Sequence, residues 1–238
     1  MGSPGYTALT RQSGLMREMV TVANNIANVS TTGFRREGLI FSEYVSSLEP
    51  GEPSLSMARA TAHHTDDRQG PLTQTGGTFD FAIEGPGFFL VETPDGQELT
   101  RAGSFTPSAE GELVSPDGAR LLDNGGAPVF VPPDARAVTL AADGTMSADG
   151  RPMTQIGLYL PTDPTDLMRQ QGVRFAVSGD IEPVEGAAIL QGFVENSNVD
   201  PMSEIARMIQ VQQAYQMGQQ FLDKEDERIR SVVQTLGR

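Results

Sequence analysis

Apolar positions recur at alternating intervals of three and four residues at the two ends of the chain, and not in its long middle. Near the C-terminus Met208, Tyr215, Leu222, Ile229 and Leu236 return at every seventh residue, and Ile205, Gln212, Gln219, Asp226 and Val233 stand three residues before each. Together the rows make the a/d stripe of a coiled-coil helix. Three consecutive members of the second row are polar, which trades stability for a specified partner or register. A helix lying on a globular core shares this spacing, but the length points elsewhere. Asp200 is placed as an N-cap before Pro201 at the first helical position, and no later proline interrupts the run to Arg238. The pattern predicts a helix of about 36 residues, roughly 54 Å long, which wants a neighbour along its length.

The N-terminus offers that neighbour. Tyr6, Leu9, Ser13, Met16, Val20, Ala23 and Ala27 alternate by three and four, and Leu15, Met19, Val22 and Ile26 widen the apolar face. Asn28-Val29-Ser30-Thr31-Thr32-Gly33 stops the helix, with Gly33 expected at positive φ and Phe34 as an apolar anchor. Asn24, Asn25 and Asn28 fall in the last turn, where side-chain amides bond freed carbonyls or a partner's backbone. Asn28-Val29-Ser30 is also a glycosylation sequon, read here as chance.

The middle has a different cadence. Most of the 26 glycines lie between Gly76 and Glu195, where short apolar runs are separated by turn residues. Phe88-Phe89-Leu90-Val91, Leu113-Val114, Val129-Phe130-Val131, Val138-Thr139-Leu140 and Ile156 to Leu160 read as strands, with Val173 to Val177 and Ile189 to Val194 closing the set. Pro94-Asp95-Gly96, Pro116-Asp117-Gly118, Asp123-Asn124-Gly125-Gly126, Asp143-Gly144 and Asp149-Gly150 read as the turns. No repeat indicates a solenoid. Between Arg36 and Thr75, a short element at Gly38 to Val45 gives way to a stretch rich in Ser, Thr, Gly and Pro, the composition of an extended connector. The expected fold is α+β: an N-terminal helix in 1–35, a connector in 36–75, a central Gly-rich all-β domain in 76–195 and a C-terminal helix in 196–238. The terminal helices are expected to pair as a coiled-coil-like assembly domain.

Composition narrows the function. In 238 residues, 17 Lys and Arg face 31 Asp and Glu, giving a net charge of −14. That balance argues against a nucleic-acid partner or attraction to anionic lipid. No apolar run approaches the ~20 residues of a transmembrane helix, so no direct membrane insertion is expected. No basic region followed by an apolar stretch marks a cleavable signal peptide. Cysteine is absent, which removes disulfides and thiol catalysis.

Catalytic and metal-binding patterns are weak. Neighbouring His63 and His64 point to opposite sides of an extended chain, so one metal cannot readily take both, and Asp66-Asp67 beside them reads as solvated connector. No G-x-S-x-G is present for a serine nucleophile. Gly85-Pro86-Gly87 lacks the further glycine and lysine of a phosphate loop and reads as a turn. Asp223 to Glu227, mixed with Lys224 and followed by Arg228 and Arg230, reads as a solvated helix face. The expectation is no enzyme, no cofactor and no metal.

Ala23-Asn24-Asn25-Ile26-Ala27-Asn28 followed by Thr31-Thr32-Gly33-Phe34-Arg35-Arg36 resembles the N-terminal signature of the rod, hook and hook-associated axial proteins of the bacterial flagellum. Glu195-Asn196-Ser197-Asn198-Val199-Asp200-Pro201, continuing to Met208-Ile209 and Gln213-Ala214-Tyr215, is similar to the C-terminal signature of that family. Gly85-Pro86-Gly87-Phe88-Phe89, Thr100-Arg101-Ala102-Gly103-Ser104-Phe105 and Gly144-Thr145-Met146-Ser147 resemble the β domain of its rod and hook members. Val29-Ser30 departs from the usual small or polar pair. The length, the single β domain and the opening Leu9-Thr10-Arg11-Gln12 to Met16-Arg17-Glu18-Met19 look most like a proximal rod subunit. The distal rod protein is the nearest alternative, and hook protein usually carries further β domains.

The resemblance implies a structural subunit of the basal-body rod, crossing the periplasm and transmitting torque. Its implied partners are copies of itself, neighbouring proximal rod proteins, the distal rod protein and, during secretion, the type III export apparatus. Assembly is expected through Leu9, Met16, Val20, Ala23, Asn24, Asn25, Ala27, Asn28, Gly33 and Phe34 at one end. At the other end it is expected through Ile205, Met208, Gln212, Tyr215, Gln219, Leu222, Ile229, Val233 and Leu236. A rival reading from composition is a secreted acidic β-domain protein with helical dimerisation ends, carbohydrate-binding or hydrolytic. The absence of Trp and the presence of only four Tyr weaken it.

Overall fold

A computed structural model describes residues 4–46, 55–170, 172–184 and 186–236. Helices occupy the two ends and strands the middle, an α+β architecture. The chain divides into two compact units: residues 1–29, 36–66 and 199–238 form a helical unit, and residues 30–35 and 67–198 form a β unit.

In the helical unit, α1 (Pro4–Ala27) and α2 (Pro201–Leu236) are antiparallel. Gln12 Nε2 donates to the Tyr215 carbonyl at 3.2 Å, Glu18 pairs with Arg207, and Asn25 bonds Glu204, so the partner number on α2 falls as α1 advances. Asp200 caps α2, accepting the backbone N–H groups of Met202 and Ser203 at 3.3 Å, with Pro201 as the first helical residue.

The face that α2 turns to its neighbour differs from the expected stripe. Met208, Tyr215 and Leu222 are half-buried as the apolar row requires, but the companion row is Glu204, Val211 and Gly218, four residues before each, continued by Glu225 four residues before Ile229. Ile205, Gln212, Gln219, Asp226 and Val233 are exposed. The row that packs contains a small residue and two carboxylates, chosen for close approach and polar partners rather than for apolarity. A Cβ on Gly218 would stand 2.7 Å from Gln12 Nε2. Ile229 is exposed because α2, at 36 residues, outruns the 24 of α1.

The expected stripe of α1 is likewise not its packed face. Gln12, Gly14, Glu18, Thr21, Val22 and Asn25 are buried, whereas Leu9, Ser13, Met16, Val20, Ala23 and Ala27 are all exposed. At 100° per residue the two sets lie on opposite sides of the helix.

Within the expected connector, the described residues 36–46 and 55–75 include paired strands. β1 (Glu37–Ser46) and β2 (Leu55–Thr65) pair antiparallel from Glu37↔Thr65 to Ser46↔Leu55, with a register shift between Ile40 and Phe41, and both strands contact α1. The alternating small and polar residues that read as a connector are tolerated because a two-stranded ribbon needs only its backbone ladder. His63 and His64 are adjacent positions of β2.

The β unit has two hydrophobic cores. Strand Phe88–Thr93 lies between them: Phe89 and Val91 enter one core with Phe81, Phe105, Leu113, Leu121 and Met146, while Phe88 and Leu90 enter the other with Leu99, Leu122 and Phe175. Burial on both faces explains its unbroken apolar run. The strand pairs with Gly96–Thr100, Arg120–Leu121 and Leu158–Pro161, and Gly96–Thr100 pairs in turn with Arg174–Val177. Edge-to-face contacts of Phe89 with Phe105 (5.9 Å) and Phe88 with Phe175 (5.8 Å) fill the two sides. Val129-Phe130-Val131 forms no strand of its own; Phe130 makes an isolated bridge to Glu112.

Candidate assembly site

Two arrangements bring the sequence motifs into use, one within each unit. In the helical unit the last turn of α1 is organised by Asn25, which is wholly buried. Its Oδ1 accepts the Glu37 N–H at 3.0 Å, and its Nδ2 donates to the Glu37 carbonyl at 2.8 Å and to Glu204 Oε2 at 3.1 Å. Glu204 Oε1 receives Arg36 Nε at 2.6 Å, so this buried carboxylate in the first turn of α2 is neutralised from the start of β1. Asn28 Nδ2 folds back to the carbonyl and Oδ1 of Asn24 at 2.9 and 3.0 Å, satisfying a freed helix-end carbonyl. Farther along the pair, Arg207 Nε meets Glu18 Oε1 at 2.6 Å.

In the β unit, residues from three separate motifs meet around Glu195. Arg35 Nη2 lies 3.0 Å from Glu195 Oε1 and Arg101 Nη1 lies 3.1 Å from Oε2, all three side chains being almost fully buried. Burial pulls the Arg101 guanidinium down to about 10, while Glu195 works against that shift. The Gly33 N–H donates to the Glu195 carbonyl at 2.7 Å. Gly33 has φ of +71°, and a Cβ there would overlap the backbone of Arg101 and Ala102. Its glycine therefore serves this turn, six residues past the end of α1, rather than the helix cap. Phe34 is buried, and the Arg169 guanidinium is stacked between the rings of Phe34 (4.5 Å) and Phe175 (4.7 Å). The Arg169 Nη2 also donates to the Arg35 carbonyl at 2.5 Å.

The expected assembly residues thus fall into separate groups. Asn25, Gly33 and Phe34 are consumed inside the subunit, and Asn24 and Asn28 bond each other; Met208, Tyr215 and Leu222 stand in the row facing α1. Leu9, Met16, Val20, Ala23 and Ala27 on α1 and Ile205, Gln212, Gln219, Ile229 and Val233 on α2 remain exposed. The side chain of Leu236 lies outside the described residues. Exposure of Leu9 (58%), Met16 (51%) and Val20 (60%) leaves a largely apolar strip, interrupted by Ser13, on a helix whose other face is already packed. On α2, Met202, Ile209, Met217 and Phe221 are also exposed. Residues that the seam pattern did not single out are Glu18, Arg207, Glu204 and Glu195 with its two arginines. For Glu18, Arg35, Arg101 and Glu195 the signal was a charge inside a motif, Glu204 and Arg207 stood in none, and the partners of all six stand far away in sequence.

A two-helix unit with apolar outer faces, carried with a β unit closed over its own cores, is the class of chain that buries its remaining surface against further subunits. The comparisons specify it. Three family models match: "Flagella basal body rod protein" over residues 6–35, "Flagellar hook protein FlgE/F/G D1 domain" over 82–148 and "Flagellar basal body rod FlgEFG protein C-terminal" over 190–235. The flagellar basal-body rod protein FlgF of Caulobacter vibrioides is 38% identical, covering 98% of this chain and 97% of its own. FlgF of Mesorhizobium japonicum is 37% identical over 95% and 96% of the two chains, and FlgG of Bacillus subtilis is 31% identical over 96% and 97%. The chain belongs to the flagellar basal-body rod protein family.

Proposed function

We propose that this chain is a structural, non-catalytic subunit of the proximal flagellar rod, assembling with copies of itself and with neighbouring rod subunits through the outer faces of its terminal helices. The observation that carries the reading is the exposed strip Leu9, Met16, Val20, Ala23 and Ala27, opposite the face of α1 that α2 covers. Burying such a strip against a neighbour is favourable at about 25 cal/mol per Å² of apolar surface. A heterologous contact of this kind that does not close builds a helical tube. The part of α2 beyond the reach of α1, with Ile229 and Val233 exposed, offers a second coiled-coil-like contact to another subunit. The FlgF relatives at 37–38% identity, against 31% for the FlgG relative, favour the proximal over the distal segment. In this reading the subunit passes through the type III export apparatus and then transmits torque in the rod.

Purified basal bodies from cells carrying a tagged copy provide the test. The protein is expected in the rod fraction, and a Val20→Asp copy is expected to be exported yet missing from it. Full incorporation of Val20→Asp would remove the outer face of α1 from the assembly.

A further inference from the structure

Glu195 is 1% exposed, and its oxygens reach three stretches that are remote in sequence. Oε1 accepts Arg35 Nη2 at 3.0 Å and the Gly70 N–H at 2.9 Å, Oε2 accepts Arg101 Nη1 at 3.1 Å, and the carbonyl accepts the Gly33 N–H at 2.7 Å. Residues 30–35 lead from α1 to β1, residues 67–70 continue from β2, and Glu195 itself shortly precedes α2. These are the stretches by which the chain of the β unit runs on into the helical unit.

We propose that Glu195 is a charge-held clasp, a single buried carboxylate that fastens all three of these stretches to the β unit. Neutral hydrogen bonds surround it: Asn196 N–H to the Pro71 carbonyl (3.0 Å), Asn198 N–H to the Phe34 carbonyl (3.3 Å) and Asn198 Nδ2 to the Arg68 carbonyl (2.8 Å). Each of these joins two stretches at most. The carboxylate joins three and also offsets two buried guanidiniums that otherwise repel each other and face a large desolvation cost. A glutamine of the same shape removes the charge and, because the two arginines donate to different oxygens, presents an NH₂ donor where one of them already donates. Glu195 therefore acts as a positioning residue whose charge is the essential property, whatever the subunit assembles with.

Amide hydrogen exchange on the full-length Glu195→Gln chain tests the clasp. The amides of Gly33, Gly70, Asn196 and Asn198 are expected to exchange at least about tenfold faster, while those of strands Phe88–Thr93 and Gly96–Thr100 keep their rates. Unchanged rates at the four amides, or equal acceleration throughout the β unit, would overturn it. The double variant Arg101→Gln/Glu195→Gln restores the net charge of the cluster and keeps the test decisive if the single variant fails to fold. It is expected to recover folding, or slower exchange at the four amides, relative to Glu195→Gln. A double variant no better than the single one would show that charge is not what closes the clasp.

Discussion

Asn25 and Glu37 are joined as two residues of a β ladder are, although one of them contributes a side chain. The Asn25 amide receives the Glu37 N–H at 3.0 Å and donates to the Glu37 carbonyl at 2.8 Å, with its second N–H on Glu204 Oε2 at 3.1 Å. All three hydrogen-bonding groups are engaged in a site with no solvent access. Asn25→Ala is expected to cost about 1–3 kcal/mol by orphaning buried partners. Asn25→Asp is expected to cost more, because a second carboxylate then faces Glu204. Denaturant unfolding of the two full-length variants measures the difference; equal losses would mean that Glu204 does not sense the charge at position 25.

Gly33 and Gly38 separate backbone need from mere smallness. Gly33 combines φ of +71° with no room for a Cβ against Ala102, whereas a Cβ on Gly38 meets nothing nearer than His64 O at 3.9 Å. Gly33→Val is expected to lose at least the ~1–3 kcal/mol of a strained left-handed residue, plus the overlap, and to disturb the Gly33–Glu195 bond. Gly38→Val is expected to stay within about 1 kcal/mol of the parent protein, since β-branched residues suit a strand. Thermal melts of both variants, compared at equal concentration, decide the order.

The elements were legible because each has a local cause. Asp200-Pro201 starts α2 by capping chemistry, and the turn residues between short apolar runs mark the strands around Phe88–Thr93. The faces were less legible. A row at seven-residue spacing has one possible companion three residues before it and another four before it, and apolarity alone does not separate Ile205 and Gln212 from Glu204 and Val211. The selection is made by Asn25, Arg36 and Gln12, which lie on other elements and are invisible to a scan along one helix. Arg35, Arg101 and Glu195 each stood inside a motif, yet their meeting requires a fold that brings residues 35 and 195 together. The short element at Gly38 to Val45 is β1, but its partner β2 reads as connector because small and polar residues carry a connector and a backbone-paired ribbon equally well.

Carboxylates that accept several backbone N–H groups set the acid response of the β unit. For Asp123, burial pushes the pKa up, but bonds from the Ala127 N–H, the Thr154 hydroxyl and the Gly125 N–H outweigh it and hold the group below its ordinary value of 3.8. A depressed carboxylate contributes stability that is complete above its unfolded pKa and is lost as pH falls through the folded one. Melting temperature is therefore expected to drop from about pH 4 downward, and Asp123→Asn to flatten that drop while lowering stability at neutral pH. Urea midpoints between pH 2 and 7 check both; an Asp123→Asn protein with an unchanged acid slope would contradict the assignment.

Methionine is the residue through which oxidants reach this cysteine-free chain. Met202 (73% exposed), Met217 (64%) and Met16 (51%) lie on the outer helix faces, whereas Met146 is fully buried in the β core. Hydrogen peroxide transfers one oxygen to the thioether, giving sulfoxide and water, and the product is polar. Peptide mapping after brief treatment is expected to show Met202, Met217 and Met16 oxidised at least about tenfold faster than Met146. Treated subunits are expected to fold normally and to assemble poorly. Rapid oxidation of Met146 in folded protein would show that the core opens on that time scale.

Val20 and Leu222 distinguish contacts between subunits from contacts within one. Val20 is 60% exposed on the face of α1 turned away from α2, and Leu222 stands in the row of α2 that faces α1. Val20→Asp places a charge in water in the free subunit, so its melting is expected to match the parent within about 0.5 kcal/mol. In the proposed rod contact that charge would be trapped in an apolar surface without a partner, and incorporation is expected to fail. Leu222→Asp acts one step earlier by loosening the helix pair, so its helical unit is expected to melt first while the β unit keeps its own transition. Motility, basal-body content and calorimetry on the two variants separate the cases. A Val20→Asp subunit that melts early would mean its face is needed within the chain, and normal rods from it would mean that no neighbour covers α1.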